Sequence, residues 1–326
     1  MRDPGVSAGS RPARELVSST IREWYEKKHR KATPEEIALV NSAKVSSCPH
    51  CGSASIVSDG RSSSGTRRFL CKSCGRRFGP LTGTVFDSRK IPISERIEFL
   101  LHLFEFHSLR TSARDNKNDG KTGYFWLRQA FSVLDGSQKK VMLSGRVYVD
   151  ETYVRADPKE RKAKPNGKKP KGLSRNLICI VAATDGEACV AFATGRGKPS
   201  RLSVGKALLG HIVPGSTIVH DGEKSHSILV ERLGLASEVH PTSETRSLPD
   251  EKNPMDPVND LHSLLKAFLR AHGPFARSDL QGWLDLFAFV WNPPANRYDK
   301  AALFIDMAIS TRKRIRYREV YGKKLD

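Results

Sequence analysis

The sequence predicts an α/β protein in which a mixed sheet with flanking helices follows a small metal-binding ribbon and a helical module. Three observations lead to this fold class: two Cys-x-x-Cys pairs, amphipathic helical patterns after them, and alternating strand and helix patterns beyond residue 143. The expected organisation is a disordered and helical segment (1–45), the ribbon (46–90), the helical module (91–142), the sheet domain (143–310) and a basic tail (311–326).

The composition favours a polyanionic partner. The chain has 326 residues and a formal net charge of +20, with an isoelectric point near 9.9. Such a charge favours nucleic acid over a membrane surface. Apolar runs stay well short of the roughly 18 residues that a membrane span needs. The first residues also lack the apolar core of a secretory signal. We therefore expect a cytoplasmic protein without a membrane partner.

The cysteine spacing predicts a structural zinc site. Cys48 and Cys51 are followed, after 19 intervening residues, by Cys71 and Cys74. Four thiolates at this spacing suit a tetrahedral zinc ion between two turns of a β-ribbon. A catalytic zinc ion is not expected, because four cysteines leave no open coordination position. His50 is the rival ligand, but it lies inside the first pair, where simultaneous ligation would be strained.

The helical module has the pattern of a DNA-binding unit. Helical patterns begin at Ser94 and cover residues 108–116 and 121–134, with a polar turn between the last two. This order fits a helix-turn-helix module whose last helix, 121–134, would enter a major groove. Any small helical bundle would show the same pattern, so the signal is weak by itself.

The remaining patterns give a strand and helix order of β-β-β-α-β-α-β-α. A basic run rich in Lys, Gly and Pro, 155–175, separates the first two strands and is expected to be a loop. This order is that of a ribonuclease-H-like fold, a mixed sheet flanked by helices. The predicted strands are 146–154, 176–184, 188–194, 216–220 and 236–240.

Two acids mark the candidate catalytic site. Asp150 lies inside the first strand and Asp221 directly follows the fourth. Considered alone, Asp150 is as consistent with a solvated strand end as with a ligand. In the expected topology the two strands are adjacent, and two neighbouring carboxylates repel unless a cation lies between them. Oxygen ligands suit Mg²⁺ or Mn²⁺, and paired ions of this kind serve phosphodiester chemistry.

A helix beginning near Pro257 supplies the third element. Asn259, His262 and Lys266 share one polar face, opposite a face of leucines and phenylalanine. Without the two acids, this would be an ordinary amphipathic helix. With them, Asn259 can offer a carbonyl oxygen to a metal ion, and Lys266 can offer a cation to a DNA phosphate.

Taken together, the ribbon, the helical module, the VDET strand, the HDG turn and the NDLHSLLK helix resemble bacterial insertion-sequence transposases of the zinc-ribbon DDE type. The resemblance covers roughly residues 46–295. It implies metal-dependent DNA strand cleavage and the joining of 3′-OH ends to target DNA. It places the catalytic residues at Asp150, Asp221 and Asn259, where many members have Glu, and at Lys266. It also implies a homo-oligomer on DNA, because two element ends must be brought together.

Several alternatives stay open at this point. If Asn259 is not the third ligand, Asp256, Asp260 and Glu151 are the fallback, although strand alternation turns Glu151 to the opposite sheet face. The ribbon and helix 121–134 are expected to bind terminal repeats, and loop 155–175 to clamp the DNA backbone. The rival functions are a nuclease of the same fold without strand transfer and a non-catalytic zinc-ribbon DNA-binding regulator.

Overall fold

The computed structural model describes residues 32–87, 91–161 and 172–322, together with residues 12, 15–17 and 19. Most of the predicted N-terminal segment, and residues 162–171 of the basic loop 155–175, lie outside these described residues. Within them, no helix is both long and apolar enough to cross a membrane.

The N-terminal part is a short helix beside a three-stranded antiparallel ribbon. Helix α1 (Pro34–Ser42) begins at the N-cap Thr33, whose hydroxyl accepts the Glu36 amide. Asn41 at its end ties the helix to the ribbon, since its side-chain oxygen accepts the Arg67 amide at 2.8 Å. The ribbon strands, in spatial order, are β1 (Ile56–Arg61), β2 (Arg67–Cys71) and β3 (Arg77–Phe78).

A five-stranded mixed sheet forms the centre of the molecule. In chain order its strands are β4 (Arg146–Arg155), β5 (Leu177–Thr184), β6 (Cys189–Arg196), β7 (Thr217–His220) and β8 (Ala236–Val239). Their spatial order is β6-β5-β4-β7-β8. The first three strands in sequence form an antiparallel meander, and β4–β7 and β7–β8 are parallel pairs. This order and these directions confirm the predicted ribonuclease-H-like sheet.

Helices cover both faces of this sheet and create two separate cores. The helices that follow α1 are α2 (Ile93–Phe104), α3 (Leu109–Asp115), α4 (Gly120–Leu134), α5 (Arg201–Leu208), α6 (Ser227–Leu233), α7 (Thr242–Thr245), α8 (Asp256–Ala271), α9 (Leu280–Trp291), α10 (Arg297–Ser310) and α11 (Tyr317–Tyr321). Apolar residues of α5 and α6 pack against β4 residues such as Val147 and Val149 on one face. On the other face, α8 and α9 pack against β5 in a larger core that also contains α2, α4 and α10.

Helix α4, the element predicted to enter a DNA groove, packs against neighbouring helices on two sides. Most of its residues are buried or half-buried, and only Gly120 and Lys121 are fully exposed. One side packs on α9, where Phe131 meets the Trp283 ring edge-on at 5.1 Å. The other side is covered by α11, whose Tyr321 hydroxyl donates to the Lys121 carbonyl at 2.8 Å. Packing in this way leaves the first turn of α4, at Gly120 and Lys121, as its exposed part.

The close contact between α4 and α9 gives a stability prediction. A Cβ atom added at Gly282 of α9 would lie 2.6 Å from the Phe131 ring, too close for any real contact. We expect Gly282→Ala to lower the free energy of unfolding by about 1–3 kcal/mol, as overpacking does. The matched control is Gly120→Ala at the start of α4, where an added Cβ meets nothing within 4 Å. Urea unfolding curves measure both, and equal stability of the two variants would contradict the packing argument.

Candidate catalytic and zinc sites

The pairing of β4 with β7 brings the two predicted catalytic acids together. In this parallel pair, Tyr148 lies opposite Val219. Asp150 and Asp221 each lie two residues further along their chains, so they stand side by side at the carboxyl end of the pair. Asp221 is the first residue after β7, and its carboxylate accepts the Glu223 amide at 2.9 Å. This bond fixes the turn that carries the second acid.

The electrostatics at Asp150 suit the binding of a divalent cation. Burial raises the pKa of Asp150 to about 7, a backbone amide opposes the shift, and the Asp221 carboxylate adds to it. A buried carboxyl group beside a second carboxylate resists ionisation. A divalent cation between the two would stabilise both charged carboxylates and so offset this shift, and the residues present therefore fit such an ion. Oxygen donors of this kind suit Mg²⁺ and Mn²⁺.

Helix α8 places an unexpected residue against the first acid. His262 Nδ1 lies 3.6 Å from an Asp150 carboxylate oxygen, and the imidazole is buried. Burial lowers the pKa of His262 to about 3, and the Lys266 cation adds to this effect. The ring is therefore neutral near pH 7, and the contact is not an ion pair. In the sequence, His262 was only one member of a polar helix face. Its spacing from Asn259, which puts both residues on that face, was the one sequence feature that could have placed it near the acids.

The predicted α8 residues Asn259 and Lys266 lie on the same side of the helix as His262, one turn before and one turn after it. Both are exposed. Val258 packs with Val219 and Tyr148, so the first turn of α8 covers the ends of the two strands that carry the acids. Within the described part of the chain, the Asn259 side chain makes no hydrogen bond to either acid. The fallback Asp260 is also exposed, and Asp256 is half-buried in the same turn.

Glu151, the other fallback ligand, lies on the opposite sheet face and is occupied there. Its carboxylate is 2.8 Å from Nε2 of the fully buried His226. His226 Nδ1 is 3.1 Å from His220 Nδ1, and His220 Nε2 is 3.1 Å from the Ser237 hydroxyl. The Glu151 carboxylate therefore belongs to a buried polar chain behind β7.

The hydrogen bonds of this chain assign a role to each nitrogen between the two rings. The Gly222 amide donates to His220 Nδ1 at 3.3 Å, so that nitrogen is an acceptor. The contact between the two Nδ1 atoms then has His226 as the donor. Burial lowers the pKa of His220 to about 4, in agreement with a neutral ring. Although His220, His226 and Asp221 offer ligand atoms within 4.8 Å, both imidazoles already have protein partners. The hydrogen-bonded residues Glu151, His226 and His220 therefore stabilise the turn around Asp221.

The four ribbon cysteines converge on one point. Cys48 Sγ lies 3.7 Å from Cys74 Sγ, and Cys51 Sγ lies 3.6 Å from Cys71 Sγ. A tetrahedral ion with zinc–sulfur bonds of about 2.3 Å separates its sulfur ligands by roughly 3.8 Å, so the spacing fits zinc. The Cys74 amide is the main cause that lowers the pKa of Cys71 to about 6, which favours the thiolate. His50 packs against the Phe78 ring, 6.2 Å between centroids, and is not among these four ligands.

The ribbon and the C-terminal segment enclose a basic cleft of about 410 Å³, which we call the arginine cleft. Arg314 bonds to Asp87 at 3.1 Å, and Arg312 donates to the Pro80 carbonyl at 3.1 Å and also to Thr82. These bonds tie the beginning of the predicted basic tail, at Arg312 and Arg314, to the end of the ribbon. The charged residues that line the cleft are Arg76, Arg312, Arg314, Arg316 and Asp87.

Two family models match this chain in the regions just described. Residues 142–292 match the ISXO2-like transposase domain. These residues are therefore similar to a transposase domain. Residues 42–75, which include the four cysteines, match the InsA N-terminal domain, a zinc-ribbon family. The two matches confirm the resemblance that the sequence motifs indicated.

Comparison with individual proteins gives weaker similarities. An uncharacterized protein in transposable element ISH50 of Halobacterium salinarum is 33% identical over 131 residues, which is 39% of this chain and 42% of that protein. The chain thus spans less than half the length of this relative. The Mos1 mariner paired end complex with Mn is 12% identical at a TM-score of 0.28, covering 71% of this chain and 79% of that one. A simian T-cell lymphotropic virus intasome is 11% identical at a TM-score of 0.27, and the match covers 70% of this chain and 76% of that one. Structural similarities this low carry no further argument about the transposase domain.

Proposed function

We propose that this protein is the DNA transposase of an insertion sequence, which cleaves DNA at the element ends and joins the 3′-OH ends to target DNA. One observation carries the proposal: in the region that matches a transposase domain, Asp150 of β4 and Asp221, which directly follows β7, lie side by side at the carboxyl end of this parallel pair. Two carboxylates brought to neighbouring positions in this way are suited to bind divalent cations. A protein that only binds DNA has no need of this arrangement.

The proposed catalytic residues have two roles, metal binding and the positioning of DNA. Asp150 and Asp221 hold the Mg²⁺ or Mn²⁺ ions, with Asn259 as the third ligand. When bound, such ions supply an activated nucleophile and stabilise the leaving 3′ oxygen. Lys266, exposed one turn beyond His262, positions a DNA phosphate. The four ribbon thiolates hold a structural zinc ion, which keeps the ribbon folded.

The proposed partners are double-stranded element ends and target DNA. The net charge of +20 and the arginine cleft support backbone binding by the ribbon and the C-terminal segment together. Loop 155–175 is proposed as a second clamp on the backbone. Joining two ends requires at least two active sites, so the working form is a homo-oligomer on DNA. Such substrates place the protein in the bacterial cytoplasm, with the nucleoid.

The arginine cleft gives a prediction about the salt dependence of DNA binding. Arg76 is exposed in the cleft and has no acidic partner among the described residues, whereas its neighbour Arg77 pairs with Asp59 at 2.8 Å. We expect Arg76→Gln to weaken duplex binding and to reduce the slope of log affinity against log salt by about 0.9, the value for one lost phosphate contact. Arg77→Gln is the matched control and should change the slope less. Fluorescence anisotropy across a sodium chloride series measures both, and equal slopes for all three proteins would exclude a phosphate contact in the cleft.

Strand transfer is the reaction that tests the function. Labelled duplexes taken from the DNA that flanks the gene are incubated with the full-length protein, a supercoiled target plasmid and Mg²⁺ or Mn²⁺. Products that join the labelled 3′ end to the plasmid are expected. Cleaved ends without joined products would instead show a nuclease of the same fold. Metal-independent binding without cleavage would show a DNA-binding regulator.

A further inference from the structure

The residue of α8 that contacts the first catalytic acid is His262. Its Nδ1 lies 3.6 Å from Asp150 Oδ2, and the side chain is only 5% exposed. That distance is too long for a hydrogen bond. Nε2 also lacks a hydrogen-bond partner within the described part of the chain. The imidazole thus faces the Asp150 carboxylate without a hydrogen bond to it, near the end of β7, where Asp221 follows.

This spacing is close to that of two ligands on one metal ion. Ligand atoms about 2.1 Å from a shared ion are separated by roughly 3.0–3.5 Å, depending on the coordination geometry. A hydrogen bond would instead require a shorter approach, and an ion pair would require a protonated ring. The distance is therefore compatible with one ion bound by both Nδ1 and the Asp150 oxygen.

We propose that His262 is a metal ligand beside Asp150, and that this imidazole makes the site selective for Mn²⁺ over Mg²⁺. The inference rests on the proposed function, since it concerns the same metal site. Imidazole nitrogen binds transition-metal ions well, whereas Mg²⁺ strongly prefers oxygen ligands and bound water. The exposed Asn259, one turn earlier, then adds a neutral oxygen to a site that already has a nitrogen donor.

A second buried histidine on the same helix shows what an ordinary core histidine looks like in this protein. His272, at the end of α8, is also buried, and both of its ring nitrogens lack partners. Its ring stacks on Trp283 at 4.6 Å and meets Phe268 edge-on at 4.5 Å. Aromatic packing therefore accounts for His272, whereas His262 faces a carboxylate. This difference makes His272 a matched control.

The test is metal binding to the full-length, zinc-loaded protein, measured apart from activity. Titration calorimetry gives the Mn²⁺ and Mg²⁺ affinities, and pulsed electron paramagnetic resonance of bound Mn²⁺ detects a coordinated nitrogen. We expect a nitrogen coupling in the wild type and in His272→Phe, and its loss in His262→Phe. We also expect His262→Phe to weaken Mn²⁺ binding by about 10-fold or more, with a smaller change for Mg²⁺.

Other outcomes overturn the inference. Absence of a nitrogen coupling in the wild type would show that His262 is not a ligand. Equal loss of Mn²⁺ and Mg²⁺ in His262→Phe would reduce the residue to a positioning role. His262→Gln, which keeps a polar side chain, serves if the phenylalanine variant does not fold. Failure of the proposed function is distinguishable, because the wild type would then bind neither ion in a manner that depends on Asp150.

Discussion

Replacement of Asp221 by asparagine is expected to reduce strand transfer by at least about 100-fold, and Asp150→Asn is expected to do the same. Loss of a residue that merely supports a metal ligand already costs 10- to 100-fold in metal affinity or activity, so loss of a ligand itself should cost at least as much. Asparagine keeps the size of the side chain and removes the charge that attracts the cation. The measurement is the yield of joined products at saturating DNA.

The control for these variants is an exposed aspartate outside the candidate site. Asp306 is exposed on α10, and Asp306→Asn should retain wild-type strand transfer. DNA binding by the two catalytic variants should persist, because the arginine cleft does not involve either acid. Wild-type activity in both Asp150→Asn and Asp221→Asn would refute the metal-site assignment. Asp260→Asn separately tests whether the neighbouring acid, and not Asn259, is the third ligand.

Removal of zinc is expected to unfold the ribbon while the sheet domain stays folded. The ribbon has a small apolar core of its own, centred on Cys48, Cys71 and Phe78, which is separate from the two cores around the sheet. Structural zinc sites contribute about 10–16 kcal/mol of apparent binding energy, more than such a core can replace. Cys71→Ser should therefore abolish zinc binding and amide-exchange protection in β1 and β2, but retain protection in β4 and β5.

DNA binding should weaken together with the ribbon, because Arg76 forms one wall of the arginine cleft. His50→Ala distinguishes the two ligand sets that the spacing allowed. Since the His50 ring packs on Phe78 and not among the four thiols, His50→Ala should keep one zinc ion per chain. Zinc content measured by atomic absorption, alongside hydrogen exchange, checks both variants. Full zinc occupancy in Cys71→Ser would contradict the four-cysteine site.

Local patterns were sufficient for the elements and for most of the candidate site. The cysteine spacing predicted the thiol cluster, because two Cys-x-x-Cys turns on a ribbon can present four sulfurs to one ion. Strand periodicity and the order of the elements placed Asp150 and Asp221 on adjacent strands. Alternation along β4 placed Glu151 on the opposite face, where it meets His226.

Tertiary packing decided which of these elements are exposed on the surface and which residue of α8 approaches the acids. Helix α4 has the length and polarity of a groove-binding helix, but α9 and α11, which lie more than a hundred residues later in the chain, bury it. The arginine cleft likewise joins Arg76 to Arg312 and Arg316. In α8, helical spacing put Asn259, His262 and Lys266 on one face, but only the packing of its leucines against the sheet fixed the rotation that turns His262 to Asp150. The sequence determined the set of candidates, because spacing and periodicity are local properties of the chain. Only the tertiary structure selected among them, because burial and rotation depend on contacts between distant residues.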